Sequence, residues 1–309
     1  MGRTAAEVEA GEIKKLAPVV IDGVRRVATA ILEAKQRISL EAIRREAKQK
    51  ADGSPVTELD HLAHRLLVEE IATWPEPYSS IAIVSEEDEV LRTPEDVCRE
   101  DSLFWLMDPL DGTRDLLAGE ATYAMVIALM VVRAGAVRPL FGVIAAPEFE
   151  GGTTWGGGAG AGLHVHRAGR DHLRGAVTRE PIGDPVRVLG SRSIPSEKMK
   201  QLYELFGTPS IERLGSAIKF GPIAEGRFDA YPRLGPTSEW DIAAGQALLE
   251  TTGGALWSLE HKEMMTYGKH RWRNSGFLAV GLAGSETLPF SAPLEALHRE
   301  YLEQKSVRR

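Results

Sequence analysis

Four apolar runs in the first half of the chain restrict its fold more than any other feature. They are "IAIV" at 81–84, "LFWLM" at 103–107, "YAMVIALMVV" at 123–132 and "LFGVIAA" at 140–146, each of strand length and β-type composition. Ahead of them Leu16, Val19, Val20, Val24, Val27 and Ile31 recur at helical spacing. That spacing predicts a long amphipathic helix from Val8 to Leu32, and a second helix is predicted over about Thr57 to Thr73. The front half therefore reads as helices packed on a sheet.

Beyond the Gly-rich "TTWGGGAGAGLHVHR" the texture changes to alternation. Strand "VRVLGS", a helix from Ser196, strand "SIERLG", a helix from Ser216, "RFDAYPR", a helix from Ser238 and strand "ALWS" follow in turn. Strands alternating with helices predict a largely parallel α/β unit. A soft boundary is placed near Pro147, giving an N-terminal α+β domain (1–146) and a C-terminal α/β domain (147–309).

With 37 Lys+Arg against 44 Asp+Glu, the chain carries a net charge of −7 and no basic stripe, so the electrostatic footprint of a nucleic-acid duplex binder is absent. The single cysteine, Cys98, excludes an internal disulfide framework and a cysteine-built zinc cluster. No apolar run approaches the roughly 18 residues of a membrane-crossing helix, and the N-terminus has no signal-peptide core. The expectation is a soluble, cytoplasmic protein that handles small molecules.

The chemistry is concentrated in acids at strand ends. In "WLMDPLDGTRDLLAG", Asp108 and Asp111 stand three apart and lead into Gly-Thr. Like charges that close raise each other's pKa, so either a turn keeps both in water or a cation lies between them. "SEED" at 85–88 also follows an apolar run and offers Glu86 as a third oxygen donor. Asp60 in "SPVTELD" and Asp241 in "SEWD" each follow a Thr or Ser by three residues, the spacing of a helix-capping box, so both acids have a structural reading beside the functional one. Carboxylates without Cys or His partners suit Mg²⁺ better than zinc and point to metal-assisted phosphoester hydrolysis.

Competing motifs fit less well. The Asp-x-x-Asp spacing is not the Asp-x-Asp of haloacid-dehalogenase phosphatases, and Asp-Gly-Thr is not the Asp-Thr-Gly of aspartic proteases. The Gly-rich run has strand-like "LHVHR" after it where a dinucleotide fingerprint needs a helix, so a hairpin is expected there. The pairs His61/His64 and His164/His166 are read as solvent-facing.

Taken in order, "DGSPVTELD", "SEED", "WLMDPLDGT" and "EWDIAAG" resemble the signature blocks of the inositol monophosphatase superfamily of Mg²⁺-dependent, lithium-sensitive phosphatases. "GSAIKFGPIAEG", "AYPRLGPTSEWD" and "GSRS" resemble its 3′(2′),5′-bisphosphate nucleotidase branch, which releases AMP from adenosine 3′,5′-bisphosphate. The resemblance covers roughly residues 50–280. It implies a layered αβαβα sandwich of the sugar-phosphatase type, within the α/β (α+β) class.

Carried onto this sequence, the resemblance makes Glu86, Asp108, Asp111, Asp241 and the carbonyl of Leu110 ligands for two or three Mg²⁺ ions. It makes Asp60 and Thr113 the pair that activates water, and it gives Gly112 and Thr113 backbone N–H groups toward the phosphate. Ser216, Lys219 and Arg233 would contact a nucleotide, although Lys219 also reads as a solvated helix lysine. The implied partner is a small anionic phosphate, in a monomer or homodimer without membrane attachment. An inositol or sugar phosphate phosphatase is the alternative enzyme, and a non-catalytic phosphate or nucleotide sensor the alternative of another class. Ile194 after "SRS", Leu116 after "DGT" and the absence of Asn from "EATYAMVIAL" depart from the nucleotidase pattern and bear on adenine recognition.

Overall fold

The computed structural model describes residues 10–50, 52–174, 185–192, 204–207, 209–281 and 298–300, together with 197, 200, 201, 295, 296 and 303. Helix α1 (Ala10–Gln36) and the short α2 (Leu40–Glu46) precede a two-stranded hairpin, β1 (Lys48–Gln49) and β2 (Pro55–Val56). Helix α3 (Glu58–Ile71) follows directly.

A seven-stranded sheet then forms in sequence order: β3 (Ala82–Ser85), β4 (Leu103–Asp111), β5 (Ala124–Arg133), β6 (Ala136–Ala146), β7 (Thr153–Gly158), β8 (Leu163–Arg167) and β9 (Arg170–Arg174). Only β3 and β4 are parallel; every later neighbour is antiparallel. The position near Pro147 falls between β6 and β7 of this one sheet. The short helices α4 (Pro94–Val97) and α5 (Thr113–Ala118) flank β4.

The apolar runs are continuous because both faces of this sheet are covered. Leu103, Trp105, Met107, Met125, Ile127 and Leu129 pack beneath α1 and α3. The alternate residues Phe104, Leu106, Ala124, Val126 and Ala128 face the other way into a second core. That core is shared with α6 (Phe220–Ala224), α7 (Ala243–Thr251) and a second sheet. At Gly142 of β6 an added Cβ would lie 2.5 Å from the Ala244 Cα, so α7 rests directly on the strand backbone.

The second sheet has six strands: β10 (Arg187–Gly190), β11 (Ser210–Arg213), β12 (Ala230–Arg233), β14 (Ala255–Ser258), β15 (Glu263–Met264) and β17 (Phe277–Val280), in the order β11-β10-β12-β17-β14-β15. A small bridge joins β13 (Thr237–Ser238) to β16 (Arg273–Asn274). Sheets and helices thus alternate in layers.

Three sequence expectations need correction. The second sheet is mixed, not largely parallel: β10 pairs in parallel with β11 and β12, but β17 inserts between β12 and β14 and runs antiparallel to both. The helix expected from Ser238 begins at Ala243, because Ser238 is held in the β13–β16 bridge. The helix expected from Ser216 opens as a 3₁₀ turn, Ala217–Lys219, before α6. Ile194 and most of the stretch after Ser196 lie outside the described residues. The expected hairpin around the glycines is present as β7–β8.

Candidate metal and phosphate site

The acids of the central stretch owe their arrangement to a break in strand register. In a regular strand, residues three apart point to opposite faces. Here Asp108 pairs with Val126 and Asp111 with Ala124, so three steps on β4 oppose two on β5. This is a β-bulge at Pro109–Leu110, and Pro109 has no N–H to give to the ladder. Val126 and Ala124 share a face, and the bulge puts both aspartates there with them. The N–H of Leu110 donates instead to Asp108 Oδ1 at 3.0 Å.

Glu86 reaches the same place from the end of the neighbouring parallel strand β3, and Asp241 from the turn before α7. Single carboxylate oxygens of Glu86, Asp108 and Asp241 lie within 4.8 Å of one another. Asp108 is 4% exposed. Burial pushes its carboxyl well above the usual range, and Glu86, Asp111 and Asp241 push it further. Burial likewise raises Asp241, followed by the charges of Asp111 and Glu86, with Arg233 opposing. Asp111 stands beside this trio with its Oδ2 accepting the backbone N–H of Ala217. Its carboxyl is raised by burial against the lowering effect of Lys219.

The donor set fits a hard divalent cation: oxygen atoms only, around the buried Asp108, and mutually repulsive as they stand.

Asp60 serves the capping box and also bonds to Thr113. Its Oδ2 accepts the Thr57 backbone N–H at 2.7 Å and the Thr57 hydroxyl at 2.6 Å, completing a capping box at the start of α3. Its Oδ1 accepts the Thr113 hydroxyl at 2.7 Å. Asp60 is 2% exposed, and burial raises its carboxyl despite those bonds. Thr113 opens α5, whose N-cap Gly112 sits at φ 98°, a left-handed conformation that favours glycine. A Cβ there would also approach the Thr122 carbonyl oxygen to 2.8 Å.

Glu86, Asp108, Asp111, Asp241, Gly112 and Thr113 line one cavity of about 330 Å³, which also receives Ser216, Lys219, Tyr231, Arg233 and Arg273. Lys219 is not the solvated lysine of the plain reading. It is 3% exposed, and its Nζ donates to the carbonyls of Leu214 at 3.1 Å and Ser216 at 2.5 Å. Its Nζ also lies 4.9 Å from the centroid of the Tyr231 ring, and burial lowers its pKa. Arg233 donates to the Tyr231 hydroxyl and the Pro236 carbonyl, both at 3.3 Å. Leu116 is fully buried in the core under α1 and α3, so that departure from the nucleotidase pattern does not face the cavity.

Sequence reasoning missed two groups. Lys50, just past β1, donates from Nζ to Glu86 Oε1 at 2.7 Å and also pairs with Glu87. Trp240 donates its indole N–H to Glu86 Oε2 at 2.8 Å. Lys50 stands next to the quoted acidic block and Trp240 inside "SEWD", but nothing local links either to residue 86. The histidines are half-buried and bonded rather than simply solvent-facing: His64 to Ser85 Oγ at 2.9 Å, and His166 to Asp171 at 2.7 Å.

The sequence matches the profile of the inositol monophosphatase family over residues 15–285. It is 30% identical over 238 residues to the 3′(2′),5′-bisphosphate nucleotidase CysQ of Buchnera aphidicola, spanning 75% of this chain and 83% of that protein. Its identity to CysQ of Escherichia coli K12 is 29% over 228 residues, spanning 74% and 86% of the two chains. Among solved structures, CysQ from Bacteroides thetaiotaomicron superimposes with a TM-score of 0.67 at 26% identity, covering 87% of this chain and 98% of that one.

Proposed function

The chain belongs to the inositol monophosphatase family of phosphomonoester hydrolases, and from that premise we propose that it is a Mg²⁺-dependent 3′(2′),5′-bisphosphate nucleotidase converting adenosine 3′,5′-bisphosphate to AMP and phosphate. The observation that carries the reading is the convergence of Glu86, Asp108 and Asp241 within 4.8 Å, beside the 2.7 Å bond between Thr113 and Asp60. Binding of phosphate alone would not need that second pair. Two or three Mg²⁺ ions held by the acids and the Leu110 carbonyl would supply charge neutralisation for the phosphate and acidify water.

The chain's own groups supply alignment and proton transfer. The Thr113 hydroxyl gives its hydrogen to Asp60 Oδ1, leaving its oxygen lone pairs to accept hydrogen from the attacking water. As water bonds to phosphorus, its proton passes to Thr113 Oγ1 and the Thr113 proton to Asp60 Oδ1. Asp60 Oδ2 is committed to Thr57, so only Oδ1 is free to receive it. Burial makes Asp60 a stronger base than an exposed aspartate, which suits that task. The ester bond on the far side of phosphorus breaks in line: the leaving oxygen takes a proton from water to become the nucleotide hydroxyl, Asp60 returns its proton to solvent, and the N–H groups of Gly112 and Thr113 hold the phosphate oxygens. Arg233 and the loop braced by Lys219 face the part of the nucleotide that is retained.

Phosphate release in the presence of Mg²⁺ tests this. The panel comprises adenosine 3′,5′-bisphosphate, its 5′-phosphosulfate relative, inositol 1-phosphate and fructose 1,6-bisphosphate. The bisphosphate nucleotide should give the highest kcat/KM. A higher value for inositol 1-phosphate would make the protein an inositol phosphatase on the same metal site, and no release from any of the four would make it a sensor.

A further inference from the structure

We propose that Trp240 is a positioning residue that fixes the carboxylate of Glu86 for cation binding, a role that rests on the reading of Glu86 as a ligand. The two residues are 154 apart in sequence, yet the indole Nε1 lies 2.8 Å from Glu86 Oε2. Glu86 follows β3, at one end of the seven-stranded sheet, and its side chain is 25% exposed, so packing alone does not hold it. Trp240 is 6% exposed and anchored in the core between the two sheets. Its neighbour Asp241 is itself tied down, accepting the Ser238 backbone N–H at 3.0 Å. The indole therefore spans from the segment that carries Asp241 to the side chain of Glu86 and sets the spacing between two of the three converging carboxylates.

The chemistry of the donor matters. An indole N–H only donates and carries no charge, so it orients Glu86 without neutralising it, and each carboxylate oxygen keeps a lone pair for a cation. Lys50, on Glu86 Oε1, acts in the opposite sense, as a charge that competes with a cation for the same carboxylate. Groups that orient a ligand from behind typically change metal affinity by about 10–100-fold when removed.

The test is Mg²⁺ calorimetry on the unmodified protein and on Trp240→Phe, Glu86→Gln and Trp272→Phe. Trp272 is a control from the same core, because its indole donates to the Arg92 carbonyl at 2.7 Å, away from the acids. Trp240→Phe should bind Mg²⁺ about 10–100-fold more weakly. Circular dichroism should show its metal-free fold intact, and Trp272→Phe should keep the unmodified affinity. In the unmodified protein the Trp240 indole N–H resonance, assigned by triple-resonance NMR, should move as Mg²⁺ is added. Unchanged affinity in Trp240→Phe, an equal loss in Trp272→Phe, or an indole resonance that Mg²⁺ does not move would each overturn the proposal. If Glu86→Gln loses affinity and Trp240→Phe does not, only the role of Trp240 falls. If Glu86→Gln keeps full affinity, the ligand reading of Glu86 falls with it.

Discussion

Thr57–Asp60 and Ser238–Asp241 carry the same Ser/Thr-x-x-Asp spacing and fold into different things. The first is a reciprocal cap at the start of α3, with bonds in both directions between the two residues and the backbone. In the second, Asp241 accepts the Ser238 N–H, but the Ser238 hydroxyl accepts from Arg273 at 3.0 Å, and α7 starts only at Ala243. A strand partner, β16, has claimed Ser238, and the turn that remains swings Asp241 toward Asp108. Local spacing offers the carboxylate a backbone N–H in both places; the neighbours decide whether a helix follows. Asp60 is thereby a cap whose other oxygen bonds Thr113, and Asp241 stands in the acidic cluster.

The largest expected effect separates these roles most sharply. Asp241→Asn should reduce turnover to background, losing several kcal/mol of phosphate-charge stabilisation, while circular dichroism shows an intact fold. Normal turnover in that variant would return Asp241 to a structural role. Asp60→Asn should lower kcat by about 10²–10³-fold with little change in KM, because an amide takes no proton from Thr113. Steady-state kinetics with an unaltered kcat would reduce Asp60 to its cap.

Next in size is the response to metal. Saturating Mg²⁺, at about 100 times its dissociation constant, should stabilise the unmodified protein by about 2.7 kcal/mol in urea titrations, an increment that chelation removes. Thr57→Ala should retain the increment and Asp241→Asn should lose it; equal increments would dissolve the distinction. Smallest are the hydroxyl deletions themselves. Thr57→Ala should cost about 0.5–2 kcal/mol as a lost cap. Ser238→Ala should cost no more than its bond from Arg273, about 0.5–1.5 kcal/mol, and nothing further in an Arg273→Ala background; a further loss in that background would show that Ser238 caps after all.

Much of this arrangement was legible in the residues. The apolar runs located β3 to β6 because both faces of the sheet are buried, and the helical spacing of Leu16 to Ile31 located α1. Acids at strand ends marked Glu86, Asp108 and Asp111 as one neighbourhood. What stayed hidden depends on partners far away in sequence. The insertion of β17 between β12 and β14 requires knowing where the last strand goes, and the bond from Trp240 to Glu86 crosses 154 positions. Lys219 was hidden for another reason: a lysine in "GSAIKF" looks the same whether water or the Leu214 and Ser216 carbonyls surround its ammonium.

The bulge at Pro109–Leu110 makes this stretch sensitive to its length more than to its lettering. Because one surplus residue is absorbed, Asp-x-x-Asp presents its carboxylates to one face just as an unbulged Asp-x-Asp would, so the spacing alone does not fix the face. What the surplus residue adds is a main-chain oxygen beside the site, the Leu110 carbonyl lying 3.3 Å from Thr113 Oγ1. Deleting Pro109 would keep two carboxylates together but return that oxygen to the ladder; inserting one residue would send Asp111 to the opposite side of the sheet. Position 109 favours a residue that gives no N–H to the ladder and position 110 an apolar side chain for the core, and the count between the two aspartates sets where the inner oxygen lies.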